Sequence, residues 1–291
     1  MPDAMEPIKE QAEKAYTRTG RLELTFQQSP EGRTYLGNQY SSYPFHICRA
    51  HYMDRSQPDM ATLYLQSCSG GIFRGDRHSI NLLVKENACA HVTTQASTII
   101  HRMEEDYAEQ VTTIEIEQRA LAEYLPDCTI LFPEARFRSS ITATCHPNSD
   151  LLLCDSFLAH DPDGSGKAFS RYDNELILKR PDGTVLAIDR YTVTGDDFKK
   201  GETGEINPFS VHGTFVVVSQ KCSSAQISNR LREITDTISN AYIGVSALPN
   251  QAGCWVRFLA KDGVVARQLM EDIWLETRLL LTRKGTVPRR K

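Results

Sequence analysis

Between residues 21 and 194, the chain consists of short segments in which apolar and polar residues alternate or β-branched residues cluster. Alternation with a period of two is typical of strands that bury one face. The turn "RPDGTV" predicts a hairpin, because Pro181 presets one φ angle and Gly183 can take a positive one. The pattern predicts ten or so strands, in "RLELTFQ", "ATLYLQS", "HSINLLVKE", "HVTTQAST", "QVTTIEIEQ", "CTILF", "RFRSSITATC", "DLLLCDSFLA", "NELILKR" and "TVLAIDRYTV".

After "GTFVVVSQ" the apolar residues change to a helical period. A first helix is predicted behind an N-cap at Ser223 or Ser224, and a second from about Val264 to Arg283, with Gly285 beyond its end. Two further strands, "YIGVSALP" and "GCWVRFLA", lie between the helices around a Pro-Asn turn. The predicted apolar stripes are Ile227, Leu231, Ile234 and Ile238 in the first helix, and Val265, Leu269, Ile273 and Leu280 in the second.

This order of elements predicts a large, mainly β domain followed by a small α+β element. Many short strands in succession leave a sandwich and a coiled β-helix equally open. We expect a flexible leader over residues 1–19, a single domain over 20–284 and a basic tail over 285–291. Within that domain, residues 20–220 are β-rich and residues 221–284 form the α+β element.

Composition and charge narrow the class of protein. Hydrophobic residues make up 40% and charged residues 24% of the 291 positions, as in ordinary globular proteins. The net charge is -4, so the chain lacks the excess of positive charge that is typical of proteins that bind nucleic acid or an anionic membrane. No segment has the apolar length of a signal peptide or membrane span, so we expect a cytoplasmic protein. The eight cysteines form no C-x-x-C pair and are expected to be free thiols.

The segment "CSGGIFRGDRHSINL" has glycines at Gly70 and Gly75, with the spacing of a phosphate-binding loop. Such a loop needs Lys followed by Ser or Thr, but Asp76 and Arg77 occupy those positions. The next segment alternates like a strand, whereas a phosphate-binding loop leads into a helix. The glycines are therefore interpreted as a tight connection between two strands.

The segment "CAHVTTQASTIIHR" has two different faces if it forms one strand. The first face is small and apolar enough for a core, and the second is uncharged and rich in hydrogen-bonding groups. A solvated face, with Thr chosen for its β propensity, explains the second face as well as an interface or a wet channel does. The first face holds Val92, Thr94, Ala96, Thr98 and Ile100, and the second holds His91, Thr93, Gln95, Ser97 and His101.

Two His/Cys pairs could begin a metal site. Cys89 and His91 share one face of a predicted strand, as do His46 and Cys48. His101 cannot join His91, because ten strand residues span roughly 33 Å. Without further ligands nearby, no permanent metal site is expected, and Cys89 and His91 remain weak candidates for transient metal contact. The sequence contains neither G-x-S-x-G nor H-E-x-x-H.

Six ordered motifs resemble one known family. They are "GRLELTF...GRTYLG", "LYLQSCSGGIFRGDR", "HVTTQASTIIHR", "EYLPDCTILFPEARF", "LLLCDSFLAH" and "GTVLAIDRYTV". In order and spacing they resemble the urease accessory protein family UreD, also called UreH, over roughly residues 20 to 281. The resemblance implies an elongated, helically coiled, many-stranded β domain with two helices toward the C-terminus.

The resemblance also implies a function. Members of the family act as urease maturation chaperones that bind the urease apoprotein subunits and recruit UreF, which docks the GTPase UreG. Nickel delivered by UreG is thought to pass through the assembly into the urease active site. By this resemblance the chain is not an enzyme, binds no permanent cofactor, and contacts nickel only in transit.

The family's motif positions fall on particular residues of this chain. Ser69, Arg74, Ile99 and His101 depart from the family's common residues, and these departures bear on partner contacts more than on the fold. The implied partner-binding or nickel-passage residues are Gly70, Gly71, Gly75, Asp76, Arg77, Thr93, Thr94, Gln95, Arg102, Asp155, Asp189 and Arg190, while Leu125, Pro126, Ala135 and Arg136 also match.

Two hypotheses follow. The first is a scaffold and nickel-transfer chaperone, whose polar Thr/Gln/Ser face and nearby Asp76 border the passage. On this hypothesis, bulky changes at Thr94 or Ala96 damage folding, whereas those at Thr93 or Gln95 impair function. The alternative is a stand-alone β-rich metal-dependent hydrolase that uses one of the two His/Cys pairs together with carboxylates such as Asp76.

Overall fold

The computed structural model describes residues 18–200 and 209–285, with only the main chain for residues 199 and 200. Its first strands are β1 (Thr19–Gln28), β2 (Thr34–Ser41), β3 (Phe45–Ile47), β4 (Ala61–Ser67), β5 (Arg77–Val84), β6 (Cys89–Thr94), β7 (Thr98–Ile100), β8 (Ala108–Ile116), β9 (Leu121–Tyr124) and β10 (Thr129–Leu131). They are followed by β11 (Arg136–Cys145), β12 (Asp150–Ala159), β13 (Arg171–Lys179), β14 (Val185–Val193), α1 (Gly195–Lys200), β15 (Val211–Val218), α2 (Ser224–Thr235), β16 (Ala241–Ala247), β17 (Gly253–Ala260) and α3 (Gly263–Thr282).

The strands of the described part form two sheets. The first sheet has seven strands in the order β14-β13-β11-β8-β5-β1-β2. The second has ten strands, with the order β16-β17-β15-β12-β9-β6-β4-β3, and with β10 and β7 paired beside β12. Each predicted strand segment contains at least part of an observed strand.

The chain coils between the two sheets. In the first sheet, β1, β5, β8, β11 and β13 pair in parallel. In the second, β4, β6, β9 and β12 do the same. Parallel neighbours need a crossover connection, and here the crossover is the strand contributed to the opposite sheet. The predicted mainly β, helically coiled fold is therefore confirmed. Of the two architectures that the strand pattern left open, the structure has the coil and not a simple sandwich.

Antiparallel strands flank the coil. The predicted hairpin "RPDGTV" joins β13 to β14, and Gly183 has a φ of +88° in its turn. At the other side, β12, β15, β17 and β16 pair successively in antiparallel fashion. These strands extend the second sheet into a surface on which the C-terminal helices pack.

Three apolar clusters stabilise this arrangement. A large cluster between the sheets contains residues such as Leu24, Leu82 and Leu153. A smaller one, around Phe137 and Phe157, lies further along the same gap. The third cluster lies between the outer face of the second sheet and the helices α2 and α3. Alternate strand residues thus face different layers, as the period-two pattern predicted.

The two predicted C-terminal helices are present. A capping box formed by Ser223 and Gln226 begins α2, which ends at Thr235, so Ile238 lies beyond the helix and not on its stripe. α3 ends where Arg283 takes a left-handed φ of 56°, and this residue has the role predicted for Gly285. None of the described helices combines the length and the apolar composition that crossing a membrane requires.

Some elements differ from the prediction. The sequence pattern did not predict β2, β3, β9, β15 or α1. β2, β3 and α1 are short or mostly exposed, whereas β9 and most of β15 are buried on both faces and so show no alternation. The predicted single strand over residues 91–101 is broken by a bend at Gln95–Ala96. Of the predicted leader, only residues 18 and 19 are described, and β1 already includes Thr19. The predicted tail lies outside the described residues apart from Gly285.

A buried cluster of charged residues attaches α3 to the second sheet. Glu123 on β9 accepts hydrogen bonds from Arg278 Nε at 2.5 Å and from Trp274 Nε1 at 2.9 Å. His91 Nδ1 lies 2.6 Å from Glu123 Oε2, and Arg278 also reaches Asp54 at 2.7 Å. Burial alone would raise the pKa of Glu123, but Arg278 and His91 lower it to about 2. The carboxylate is therefore ionised and paired in the folded protein.

We expect Glu123→Gln to lower the free energy of unfolding by about 3–5 kcal/mol, because it leaves the buried Arg278 guanidinium partly unpaired. Urea denaturation measures this change. The matched control is Glu233→Gln, since Glu233 pairs with Arg230 on the exposed face of α2 and should change stability by less than about 0.5 kcal/mol. Equal small losses in both variants would contradict a stabilising role for the cluster.

Candidate functional site

A cavity of about 430 Å³ lies between the two sheets where the two inter-sheet apolar clusters meet. Ile80 and Ile141 at its wall belong to the larger cluster, whereas Ile72 and Phe137 belong to the smaller one. The cavity therefore marks a break in an otherwise continuous apolar layer.

Polar residues at inward-facing strand positions produce this break. In the first sheet, His78, Gln110, Ser139 and Asn174 are direct neighbours on four successive parallel strands. We call these four residues the polar row. It runs across the strands, and three strand spacings give it a length of about 14 Å.

A second set of polar residues lies in the second sheet, and its members Asp155 and Arg257 contact Asn174 and Asp189 of the first sheet. Asp155, Thr214 and Arg257 are direct neighbours on β12, β15 and β17. Asn174 Nδ2 donates to Asp155 Oδ2 across the gap at 2.6 Å, and Arg257 pairs with Asp189 of the first sheet. Hydrogen bonds between the sheets therefore replace apolar packing at this level.

The lining of the cavity is rich in oxygen donors. Apart from His78, its polar side chains are carboxylates, amides and hydroxyls. Within residues 18–200 and 209–285, no group of three or more His, Cys, Asp or Glu side chains is placed to hold a metal ion. The oxygen-bearing residues are Gln66, Ser67, Ser69, Thr94, Gln95, Ser97, Thr98, Gln110, Tyr124, Asp127, Thr129, Ser139 and Asp155.

Burial shifts the pKa values of several groups at the site, and those of Asp155 and His78 decide its charge near neutral pH. Burial raises the pKa of Asp155 to about 6, with a further rise from Asp189 that the Asn174 hydrogen bond opposes. Burial lowers the pKa of His78, and nearby Asp76 only partly offsets this effect. At neutral pH, Asp155 therefore carries most of a negative charge and His78 is mainly neutral.

The glycine-rich segment connects β4 to β5, as predicted. Gly71 has a φ of +147°, and a Cβ there would lie 2.5 Å from the carbonyl oxygen of Ile99. Asp76 Oδ2 accepts from the Phe73 amide at 2.9 Å, which closes the turn. Gly70 and Gly71 line the cavity, whereas Gly75, Asp76 and Arg77 do not. Arg77 instead donates to the carbonyl oxygen of Tyr107.

The predicted faces of the segment 91–101 are wrong in part. Thr93, expected on the polar wall, is fully buried and donates to the carbonyl oxygen of Leu125 at 2.7 Å. Thr94 and Ala96, expected in the core, line the cavity, and Ala96 is exposed. The bend at Gln95–Ala96 breaks the alternation, so one period cannot describe the whole segment. Gln95 and Ser97 line the cavity, as the polar-wall prediction required.

Of the remaining motif residues, Pro126 and Asp155 line the cavity, whereas Arg102, Asp189 and Arg190 do not. Arg102 forms exposed ion pairs with Glu104 and Glu134. Arg190 pairs with Glu175 on the outer side of the first sheet. Asp189 does not line the cavity either, but its negative charge raises the pKa of Asp155.

Cys89 and His91 do not join the cavity. His91 belongs to the Glu123 cluster, with its ring 5.1 Å from that of Trp274. Burial raises the pKa of the Cys89 thiol, which disfavours the thiolate that a metal needs. The second pair, His46 and Cys48, is exposed on and just after β3.

Comparisons of the sequence with known proteins show the family to which the chain belongs. The family model of the UreD urease accessory protein matches residues 18–291. The chain belongs to the UreD family.

Several members of the UreD family cover most of the chain. Urease accessory protein UreD 1 of Pseudomonas syringae pv. tomato is 38% identical over 266 residues, covering 91% of this chain and 93% of the relative. UreD 1 of Methylorubrum extorquens is 37% identical, covering 79% and 78%. UreD of Haloarcula marismortui is 30% identical, covering 96% and 92%.

The motifs of the UreD family did not single out the polar row. A signal was nevertheless present in the sequence, because polar residues interrupt the inward-facing apolar positions of three strands. Ser139 lies between Phe137 and Ile141, and Asp155 lies between Leu153 and Phe157. Asn174 interrupts β13 in the same way, between Tyr172 and Leu176. That these interruptions lie side by side depends on the strand register.

We expect Thr93→Phe to lower the free energy of unfolding by about 2 kcal/mol or more, because it overpacks a fully buried position and removes a hydrogen bond. Ala96→Phe, three residues away at the exposed cavity edge, should change it by less than about 0.5 kcal/mol. Urea denaturation of both variants tests the placement. A larger loss of unfolding free energy for Ala96→Phe than for Thr93→Phe would show that Ala96, and not Thr93, is the buried position.

Asp155→Asn should stabilise the protein in a pH-dependent way. The folded protein binds the Asp155 proton more tightly than the unfolded chain, so ionisation lowers the free energy of unfolding as pH rises from about 4 to about 6. The variant should therefore gain about 1–2 kcal/mol over the wild type at pH 7 and almost nothing below pH 4. A difference that stays constant across this range, measured by urea denaturation, would contradict the raised pKa.

Proposed function

We propose that the protein is a urease maturation chaperone that passes nickel between its two sheets toward the urease active site. Membership of the UreD family supports a role in urease maturation. The observation that carries the finer proposal is the polar row facing Asp155 across an oxygen-rich cavity. In this role the chain is a scaffold that binds apo-urease, UreF and UreG, and it catalyses no reaction itself.

The chemistry of the lining suits an ion in transit. Nickel binds tightly to imidazole and thiolate ligands, so a complete His/Cys cage would hold it for a long time. Each additional 1.4 kcal/mol of binding free energy slows release about tenfold if association is unchanged. Hydroxyl, amide and carboxylate oxygens bind the ion more weakly and permit it to move on.

Charge gives the passage a preference for cations. With a pKa of about 6, Asp155 is mostly ionised at neutral pH, and it faces Asn174 at one end of the polar row. Its carboxylate can attract a divalent ion and release it to the next oxygen donor.

The geometry does not favour a metal-dependent hydrolase. Such an enzyme would need Cys89 and His91, or His46 and Cys48, beside a carboxylate such as Asp76. His91 is held by Glu123, and Asp76 closes the turn before β5. Among the described residues, neither pair forms a group of three or more His, Cys, Asp or Glu side chains that could hold a metal ion.

We expect Ser139→Phe to lower nickel-dependent urease activation at least tenfold, because its ring would fill the cavity between the sheets. Ser140→Phe is the matched control, since the adjacent residue faces the other side of β11. Activation is measured after co-expression with urease, UreF and UreG, and a pull-down of the same cells reports assembly. Asp155→Asn, which keeps the volume but removes the charge, should reduce activation several-fold.

Two outcomes would contradict the proposal. If Ser139→Phe and Ser140→Phe activate urease equally well, the cavity is not the route of the ion. If the wild-type protein does not co-purify with UreF and urease, the scaffold role fails.

A further inference from the structure

An imidazole and a thiol lie together at the exposed edge of the second sheet. His46 is on the edge strand β3, and Cys48 follows two residues later, so both side chains project to the same side. Cys48 Sγ lies 3.9 Å from His46 Nε2, and both residues are exposed. No part of the proposed passage uses either residue.

Two glutamines connect this pair to the cavity. Gln66 on β4 is the direct strand partner of His46, and its Oε1 lies 3.6 Å from Cys48 Sγ as the acceptor of the thiol. Gln66 Nε2 in turn donates to Gln95 Oε1. Both glutamines line the cavity. The pair therefore lies next to an edge of the cavity.

The spacing suits one metal ion. With the bond lengths of zinc, about 2.3 Å to sulfur and about 2.0 Å to nitrogen, an ion in tetrahedral coordination holds sulfur and nitrogen about 3.5 Å apart. The observed 3.9 Å is slightly longer, and small rotations of the two exposed side chains would bring the two atoms to this separation. Gln66 Oε1 is close enough to supply an oxygen donor.

We propose that His46 and Cys48 form an entry site that captures a thiolate- and imidazole-binding divalent ion, here Ni²⁺, at the edge of the cavity. This role rests on the proposed passage of nickel between the sheets. When the ion binds, the Cys48 thiol loses its proton to solvent, and the thiolate and the His46 imidazole become ligands beside Gln66 and water. With only two side chains of high nickel affinity, the site exchanges its ion faster than a closed cage does.

Nickel titration of the reduced, full-length protein tests the site directly. We expect one Ni²⁺ per chain by equilibrium dialysis, with a near-ultraviolet charge-transfer band from a nickel-bound thiolate. Cys48→Ser should remove the band and weaken binding at least tenfold, and His46→Ala should weaken binding at least threefold. The control variants are Cys68→Ser, at the other exposed cysteine, and His160→Ala, at another exposed histidine. They should leave both the charge-transfer band and the nickel affinity unchanged.

Retention of the band in Cys48→Ser, or its loss in Cys68→Ser alone, would overturn the assignment. For the role of the site, the double variant His46→Ala/Cys48→Ser should reduce urease activation at least threefold when nickel is limiting, and excess nickel should restore it. Pull-down of the accessory proteins should be unchanged. Equal activation of the double variant and the wild type at limiting nickel would refute the entry role.

These results separate the entry site from the passage. If Ser139→Phe has no effect on activation but Cys48-dependent nickel binding is present, the passage fails and the binding site stands. If Ser139→Phe blocks activation but nickel binding does not depend on Cys48, the passage stands and the entry site fails.

Discussion

The cavity depends on a row of polar side chains at positions where a coiled β-fold would otherwise bury apolar ones. Burying a polar group without a hydrogen bond is costly, so the gap between the sheets cannot close into a dry core at this level. The Asn174–Asp155 hydrogen bond satisfies part of this requirement across the gap. Apolar clusters on either side maintain the separation of the sheets and leave a polar space between them.

The coiled path of the chain aligns the polar residues of successive strands. Each turn adds one strand to each sheet, so residues in the same register form a line perpendicular to the strands. A single polar residue per strand is therefore enough to build a continuous hydrophilic line through an otherwise apolar layer. The antiparallel strands β15 and β17 extend that line through Thr214 and Arg257 in the second sheet.

The outer face of the second sheet has a different role. There the Glu123 cluster and an apolar layer attach α3, and His91 and Thr93 belong to this layer. Neighbouring residues of β6 thus serve opposite sides of one sheet, with Thr93 supporting the helical layer and Thr94 facing the cavity. The same family motif therefore combines a packing residue with a residue of the site.

The mainly β class, the hairpin at Gly183, the two C-terminal helices and the family could be predicted from the sequence alone, because these depend on local periodicity, turn residues and ordered motifs. The resemblance to the family also singled out Gly70, Gly71, Gln95 and Asp155, which line the cavity in the structure. Three features became apparent only in the folded protein: the burial of Thr93, the bend in the segment 91–101, and the alignment of the polar row His78, Gln110, Ser139 and Asn174. Strand register and the pairing of distant strands set these relations, and no local pattern of residues encodes them.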